Sequence, residues 1–111
     1  MIRTTDHNKL IQYHKYSNLP IINGLSNISH PCQILADIMA YTEKRGSIKN
    51  RKFTWLGDIN NVLYSWVEAA EIFNFNLNIS YPKEIKIPTE FKKLIKKFNK
   101  NINLNHDSIL S

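Results

Sequence analysis

Residues 52–73 read KFTWLGDINNVLYSWVEAAEIF. The first five residues favour a β-strand, and Gly57 with Asp58 stops it in a tight turn. From residue 61 to residue 73 apolar residues recur at helical spacing, which predicts a helix with an inner side of Val62, Trp66, Ala69 and Ala70. The segment is therefore predicted to be a strand that turns directly into a buried helix.

The same alternation of strands and helices extends in both directions from this segment. Further strands are predicted at residues 1–4, 20–24 (a brief buried strand), 77–80 and 102–104, and further helices at residues 6–16, 31–45 and 88–98. Another helix is expected to begin near residue 107. Strands that alternate with helices across short turns indicate an α/β fold of parallel βαβ units with right-handed crossovers.

The composition sets broad limits on the kind of protein. The chain has 111 residues, of which 42% are hydrophobic, enough for one small domain or for parts of two. It contains no apolar run of the roughly 20 residues that a membrane span needs, and its first residues lack the apolar stretch of a secretory signal. The single cysteine, Cys32, fits a reducing cytoplasm.

The formal net charge of +6 has two readings. It can attract phosphate, on a nucleic acid or on a small metabolite, or it can reflect a general abundance of lysine under AT-rich codon usage. Only three of the 15 basic residues are arginine, and many of the lysines fall in residues 91–98, FKKLIKKF. These alternate with apolar residues at helical spacing, which favours a solvated surface helix over a nucleic-acid site.

A first candidate site is the run His30-Pro31-Cys32-Gln33. Proline favours the first position of a helix, so His30 is predicted to be the cap and Gln33 to lie in the first turn. Their side chains and the free N–H groups of the helix start could face an anion or a polarised carbonyl, although ordinary capping would use the same residues. Cys32 is predicted to be a small packing residue.

Two further candidates are the turn around Gly57 and the side chain of Arg3. The turn follows the carboxyl end of a strand, where parallel sheets bind ligands, but the residues alone favour a plain tight turn with an asparagine cap. A guanidinium suits phosphate, yet Arg3 alone is only a surface charge. The sequence contains no dinucleotide or Walker loop, and its four histidines lack the spacing of metal ligands.

Taken together, these segments resemble the ornithine carbamoyltransferase family. The resemblance is carried, in order along the chain, by PIINGLS (20–26), SHPCQ (29–33), LAD (35–37), WLGDINNV (55–62) and SWVEAA (65–70). It implies parts of two Rossmann-like domains joined by an interdomain helix. Residues 1–45 would be the C-terminal part of the carbamoyl phosphate-binding domain with that helix, and residues 46–111 the truncated N-terminal part of the ornithine-binding domain.

The family's activity is then the expected one. Its members transfer the carbamoyl group of carbamoyl phosphate to L-ornithine, giving citrulline and phosphate in arginine biosynthesis. They are cytoplasmic, are usually homotrimers, and use neither a metal nor an organic cofactor; no nucleic acid or membrane partner is implied.

The resemblance also assigns roles to individual residues. His30 would bind the carbonyl oxygen and stabilise the oxyanion of the tetrahedral intermediate, and Gln33 would hold the carbamoyl amide. Arg3 would grip carbamoyl phosphate from a neighbouring strand end, and Pro31 and Cys32 complete this predicted carbamoyl phosphate site. Asn61 would bind the amino-acid end of ornithine.

Some features depart from the family pattern. Ile59 replaces a usual glycine, which predicts strain if that position needs a positive φ, and Tyr64 replaces a usual His or Asn. The upstream Ser-Thr-Arg-Thr loop and the downstream ornithine-binding and His-Cys-Leu-Pro segments are missing. The sequence is therefore expected to be a fragment, about a third of an enzyme and inactive alone. The alternatives are a sister carbamoyltransferase with another amine acceptor, a non-catalytic remnant and a basic binding module.

Overall fold

A computed structural model of the chain describes residues 1–105. The elements in chain order are β1 (Ile2–Arg3), α1 (His7–Tyr16), β2 (Asn23–Leu25), α2 (Pro31–Arg45), β3 (Lys52–Leu56), α3 (Asn61–Phe73), β4 (Asn76–Ser80), α4 (Thr89–Lys97) and β5 (Ile102–Asn105). The helix expected to begin near residue 107 lies outside the described residues.

The strands form two separate parallel sheets. β1 pairs with β2 in the first sheet, and the second has the order β3-β4-β5. α2 runs from the last strand of the first sheet to the first strand of the second. The predicted parallel βαβ units are confirmed, and so is a helix that joins the two sheets.

Local signals set the helix ends where they were predicted. The Asp6 side chain accepts a hydrogen bond from the N–H of Asn8 at 3.0 Å and caps α1. α2 has Pro31 at its first position and ends at Gly46, whose φ is +77°. Each of these residues lies at or next to the helix end that it sets. The sequence therefore predicts these ends well.

The strand predicted at residues 20–24 is wrong in position and burial. β2 begins at Asn23 and is half-buried, and Ile22 beside it is 54% exposed. The physical reason is the length of its partner, since β1 has two residues and aligns Ile2 with Asn23 and Arg3 with Leu25. The N–H of Ile2 donates to the carbonyl oxygen of Ile22 at 2.9 Å, and β1 has no earlier residue to pair with Pro20 and Ile21.

The main core lies between α3 and the β3-β4-β5 sheet. Its most enclosed side chains include Leu63, Val67, Ala70, Phe75 and Ile79, which are fully buried. Ala69 and Ala70 are buried as predicted, but Val62 and Trp66 are only half-buried. Because α3 contacts α2 and α4 as well as β4, its buried surface is wider than a single helical stripe and centres on Leu63 and Val67.

The lysine-rich helix α4 has the predicted two faces. Phe91 is fully buried, Leu94 and Ile95 are half-buried, and the lysines are exposed. None of the helices within residues 1–105 combines the length and apolar character that a membrane crossing requires.

Gly57 provides a test of the turn that leads into α3. Its φ is +138°, and no atom lies within 4 Å of where a Cβ would be, so substitution strains the backbone alone. We expect Gly57→Ala to lower the free energy of unfolding by about 1–3 kcal/mol in urea denaturation. Leu56→Ala, at the neighbouring exposed position, should change it by less than about 0.5 kcal/mol. Equal unfolding midpoints for Gly57→Ala and the parent would contradict this account.

Candidate functional site

The loop of residues 26–30, hereafter the 26–30 loop, joins β2 to α2 and lies against the first half of α3. The N–H of Ser26 donates to the carbonyl oxygen of Ser29 at 2.7 Å and closes the turn. The side-chain amide of Asn61 donates to the Ser26 carbonyl oxygen at 2.8 Å, and the Ser65 hydroxyl accepts from the N–H of His30 at 2.8 Å. Two side chains of α3 therefore hold the loop that carries His30.

His30 occupies the N-cap position of α2, as predicted, but its side chain makes no capping hydrogen bond. Nδ1 of the imidazole is buried and has no hydrogen-bond partner among residues 1–105. A buried polar atom without a partner is unusual in a folded protein and is often found at functional sites. Because Nδ1 is enclosed, Nε2 is the ring nitrogen that can meet a ligand.

Gln33 lies on the exposed first turn of α2 and is oriented by a neighbour on the same helix. Its Nε2 donates to Oδ1 of Asp37 at 2.9 Å. An ionised carboxylate can only accept hydrogen bonds, so the amide nitrogen of Gln33 faces Asp37 and its oxygen is left to accept from a ligand. The spacing of four residues between Gln33 and Asp37 was readable in the sequence, but no role was predicted for Asp37.

Pro31 and Cys32 have mainly structural surroundings. The Cys32 thiol is half-buried and donates to the Asn23 carbonyl oxygen at 3.3 Å, so it packs α2 against β2. Any contact of Cys32 with a ligand is left to its backbone N–H. Pro31 faces α3 and lines a hollow of about 170 Å³ that Ile34 and Ser65 also line.

Arg3 is the last residue of β1, and its side chain is exposed. It makes no ion pair or side-chain hydrogen bond with the part of the chain that the structure describes. Because β1 and β2 are parallel, Arg3 lies at the same sheet edge from which the 26–30 loop leads to His30. At the junction of the 26–30 loop with α3, the structure therefore places His30 and Gln33 at the start of α2 and Asn61 on α3, with Arg3 at the adjoining sheet edge.

Two residues at this junction were missed by the sequence analysis. Nδ1 of His7 lies 2.9 Å from the hydroxyl of Ser26, and the backbone N–H of His7 donates to Oδ1 of Asn27 at 3.0 Å. Ser65 contacts the same loop from α3, with its hydroxyl 3.2 Å from that of Ser29. These partners are about 20 to 36 residues apart in the chain, so no local pattern could reveal them.

The turn before Asn61 shows how the departure at Ile59 is tolerated. Asn60 caps α3 by accepting from the N–H groups of Val62 and Leu63 at 3.0 and 3.2 Å. Within residues 1–105, the positive φ values outside glycine belong to Asn50 and Asn74, so the expected strain at Ile59 does not arise. Ile59 is instead buried in the core, and Gly57 takes the positive φ.

Acidic and aromatic groups lie on the next turns of α3. Burial raises the pKa of the Glu68 carboxyl, and the charges of Lys97 and His7 oppose this rise in part. Burial also raises the pKa of the Tyr64 hydroxyl, with a further rise from Glu90. Among residues 1–105, no three His, Cys, Asp or Glu side chains group closely enough to hold a metal ion.

Two family models match the chain. The carbamoyl-P binding domain of aspartate/ornithine carbamoyltransferase matches residues 1–43, and the Asp/Orn binding domain of the same family matches residues 49–110. Together the two matches include the whole of the junction described above.

Individual relatives agree with these matches. The chain is 53% identical over 83 residues to the ornithine carbamoyltransferase of Brucella ovis, covering 75% of the chain and 27% of that protein. It is 44% identical to that of Nitrobacter winogradskyi, covering 96% of the chain and 35% of that protein. The crystal structure of ornithine carbamoyltransferase from Burkholderia thailandensis E264 superposes with a TM-score of 0.87 at 38% identity, covering 95% and 36%. The chain thus spans about a quarter to a third of the length of these relatives.

The contact between Asn61 and the 26–30 loop can be tested by substitution. Asn61→Ala leaves the carbonyl of the fully buried Ser26 without its partner, so we expect a loss of about 1–3 kcal/mol in the free energy of unfolding. Asn8→Ala, on the exposed side of α1, should change it by less than about 0.5 kcal/mol. Equal urea midpoints for the two variants would show that the Asn61 contact does not stabilise the fold.

The raised pKa of Glu68 predicts a pH dependence of stability. A carboxyl with a raised pKa binds its proton more tightly in the folded chain, so its contribution favours folding at acidic pH and is lost as pH rises through the folded-state pKa. Glu68→Gln should therefore raise the thermal midpoint relative to the parent at pH 7, with the difference shrinking toward pH 4. Glu43→Gln, at an exposed position of α2, is the control. A lower midpoint for Glu68→Gln at pH 7 would contradict the burial argument.

Proposed function

The chain belongs to the aspartate/ornithine carbamoyltransferase family, and we propose that it works as part of an ornithine carbamoyltransferase. In the proposed reaction, the δ-amine of L-ornithine attacks the carbonyl carbon of carbamoyl phosphate. The new C–N bond forms, the C–O bond to phosphate breaks, and the amine loses one proton. The products are citrulline and phosphate.

The observation that carries this proposal is that His30 and Gln33 both lie at the start of α2. His30 presents Nε2, and the contact with Asp37 leaves the amide oxygen of Gln33 free. A carbamoyl group offers a carbonyl oxygen and an NH₂ group side by side, so Nε2–H can donate to the first while Gln33 accepts from the second. A donor at the carbonyl oxygen stabilises the negative charge that develops there in the tetrahedral intermediate.

The helix start also suits the phosphate end of the substrate. The N–H groups of Cys32 and Gln33 lie in the first turn of α2, where they have no acceptor within the helix, and the helix dipole favours an anion there. The exposed guanidinium of Arg3 has no partner among the described residues and can bind phosphate oxygens in a bidentate manner. These groups support a site for carbamoyl phosphate that uses Arg3, His30 and Gln33.

We assign Asn61 to the amino-acid end of ornithine. Its Nδ2 is already bonded to the Ser26 carbonyl, so its oxygen is oriented and available to accept from the α-ammonium group. Asn61 lies on α3, across the junction from α2. An ornithine held there would face the carbamoyl phosphate at the start of α2, as its attack on the carbonyl carbon requires. Holding two reactants in this way supplies much of the rate enhancement that a transfer reaction needs.

Three wider proposals follow from the same assignment. We place the reaction in arginine biosynthesis, because that pathway forms citrulline from ornithine. A cytoplasmic location is supported by the single cysteine, which has a free thiol. The homotrimer remains a proposal that rests on the family resemblance.

Binding of carbamoyl phosphate tests the proposal directly. We expect the imidazole signals of His30 to shift and saturate when the ¹³C,¹⁵N-labelled chain is titrated with carbamoyl phosphate in NMR. Gln33→Ala should weaken binding about tenfold, the scale of one hydrogen bond to the ligand. The control Gln12→Ala, on the exposed side of α1, should bind like the parent. An equal response to inorganic phosphate, or unchanged binding by Gln33→Ala, would contradict the assignment.

Catalysis by the isolated chain is a separate prediction. In the family that the chain resembles, a Ser-Thr-Arg-Thr loop supplies most of the grip on the leaving phosphate, and residues 1–111 do not contain this motif. We expect no citrulline when pure chain is incubated with carbamoyl phosphate and L-ornithine. Phosphate-releasing carbamoylation of ornithine by the pure chain would contradict this expectation, and carbamoylation of a different amine would change the proposed acceptor.

A further inference from the structure

The backbone N–H of His30 is held by α3 and not by its own helix. Its acceptor is the hydroxyl of Ser65, 35 residues further along the chain, at 2.8 Å. Ser65 is 4% exposed, and its hydroxyl lies 3.2 Å from that of Ser29. Since the Ser65 oxygen accepts from His30, its own hydrogen is available to donate to Ser29. The hydroxyl thus meets both residues that precede α2.

This arrangement replaces a common type of helix capping. In a capping box, the glutamine or glutamate at the third helical position reaches back and accepts from the N–H of the N-cap residue. Here His30 is the N-cap residue and Gln33 is at the third position, so Gln33 is the residue expected to do this. Instead Ser65 accepts from His30, and Gln33 extends along α2 to Asp37 at 2.9 Å.

We propose that Ser65 is a positioning residue for carbamoyl phosphate: its hydroxyl takes the capping role at His30 and thereby leaves the Gln33 side chain free to bind the carbamoyl amide. The inference rests on the proposed function, because it concerns the availability of Gln33 to that substrate. Without the hydroxyl, the N–H of His30 loses its acceptor, and the Gln33 amide oxygen, at the third helical position, can take its place as in a capping box. Gln33 would then be withdrawn from the ligand.

The test combines binding with a double-mutant cycle. Ser65→Ala should weaken carbamoyl phosphate binding about tenfold, as Gln33→Ala does, because each variant removes the contact between the Gln33 side chain and the carbamoyl amide. The double variant should bind nearly as weakly as either single variant, since Ser65 acts through Gln33. Ser65→Thr keeps the hydroxyl, and its methyl group has space in the hollow of about 170 Å³ that Ser65 lines, so it should restore binding to within about twofold.

The control and a second measurement separate the proposal from general destabilisation. Ser29→Ala removes the neighbouring hydroxyl but leaves the bond from His30 to Ser65, so it should bind like the parent. In the parent itself, the amide hydrogen of His30 should exchange slowly with solvent, while that of Cys32 at the open helix start exchanges fast. This comparison needs no variant that folds poorly.

The outcomes distinguish the two proposals. If the parent chain shows no response of His30 to carbamoyl phosphate, the proposed function fails. If the parent binds and Ser65→Ala binds equally tightly, or the losses from Ser65→Ala and Gln33→Ala multiply in the double variant, the positioning role of Ser65 is wrong. Fast exchange of the His30 amide in the parent would also overturn it.

Discussion

Two hydrogen bonds from α3 to the 26–30 loop determine how the site is built. One runs from the Asn61 amide to the Ser26 carbonyl, and the other from the His30 N–H to the Ser65 hydroxyl, both at 2.8 Å. Ser26 and Ser65 are buried, so neither bond competes freely with water and each would be costly to lose. They join residues 35 positions apart and fix the start of α2 relative to α3, although the two sheets of the chain do not pair with each other.

This constraint explains why the residues of the proposed site lie where they do. α2 presents His30 and Gln33 at its positive end, and α3 presents Asn61 from the other side of the junction. Electrostatic stabilisation and orientation of two substrates are what a carbamoyl transfer needs from a protein, and neither requires a metal. The Asn61 side chain has two tasks in this picture, since one end of its amide holds the loop and the other is left for the amino acid. The proposed binding of ornithine at Asn61 would therefore be coupled to the position of the loop that carries His30.

The sequence predicted the parts of the fold that depend on neighbouring residues. Asp6, Pro31 and Gly46 act within one turn of the helix ends that they determine. The roles that the resemblance assigns to His30, Gln33 and Asn61 stay predictions. The predictions from the sequence failed where residues distant in the chain determine the structure. The position of β2 depends on the short strand β1, and the buried face of α3 depends on α2 and α4 as well as the sheet. Strain at Ile59 was predicted only for a positive φ at that position, and the turn places its positive φ at Gly57 instead. Ser65 and His7 looked like ordinary polar residues, since their partners lie elsewhere in the chain.

The most direct measurement of the central claim is a set of distances across the junction in solution. Nuclear Overhauser effects in the uniformly labelled chain report pairs of hydrogens closer than about 5 Å. Without any ligand, we expect effects between the His30 amide hydrogen and the β-hydrogens of Ser65, and between the Asn61 side-chain amide and the α-hydrogen of Ser26. An assigned spectrum of the folded chain that lacks both effects would show that α3 does not hold the 26–30 loop, and the common site would have no physical basis.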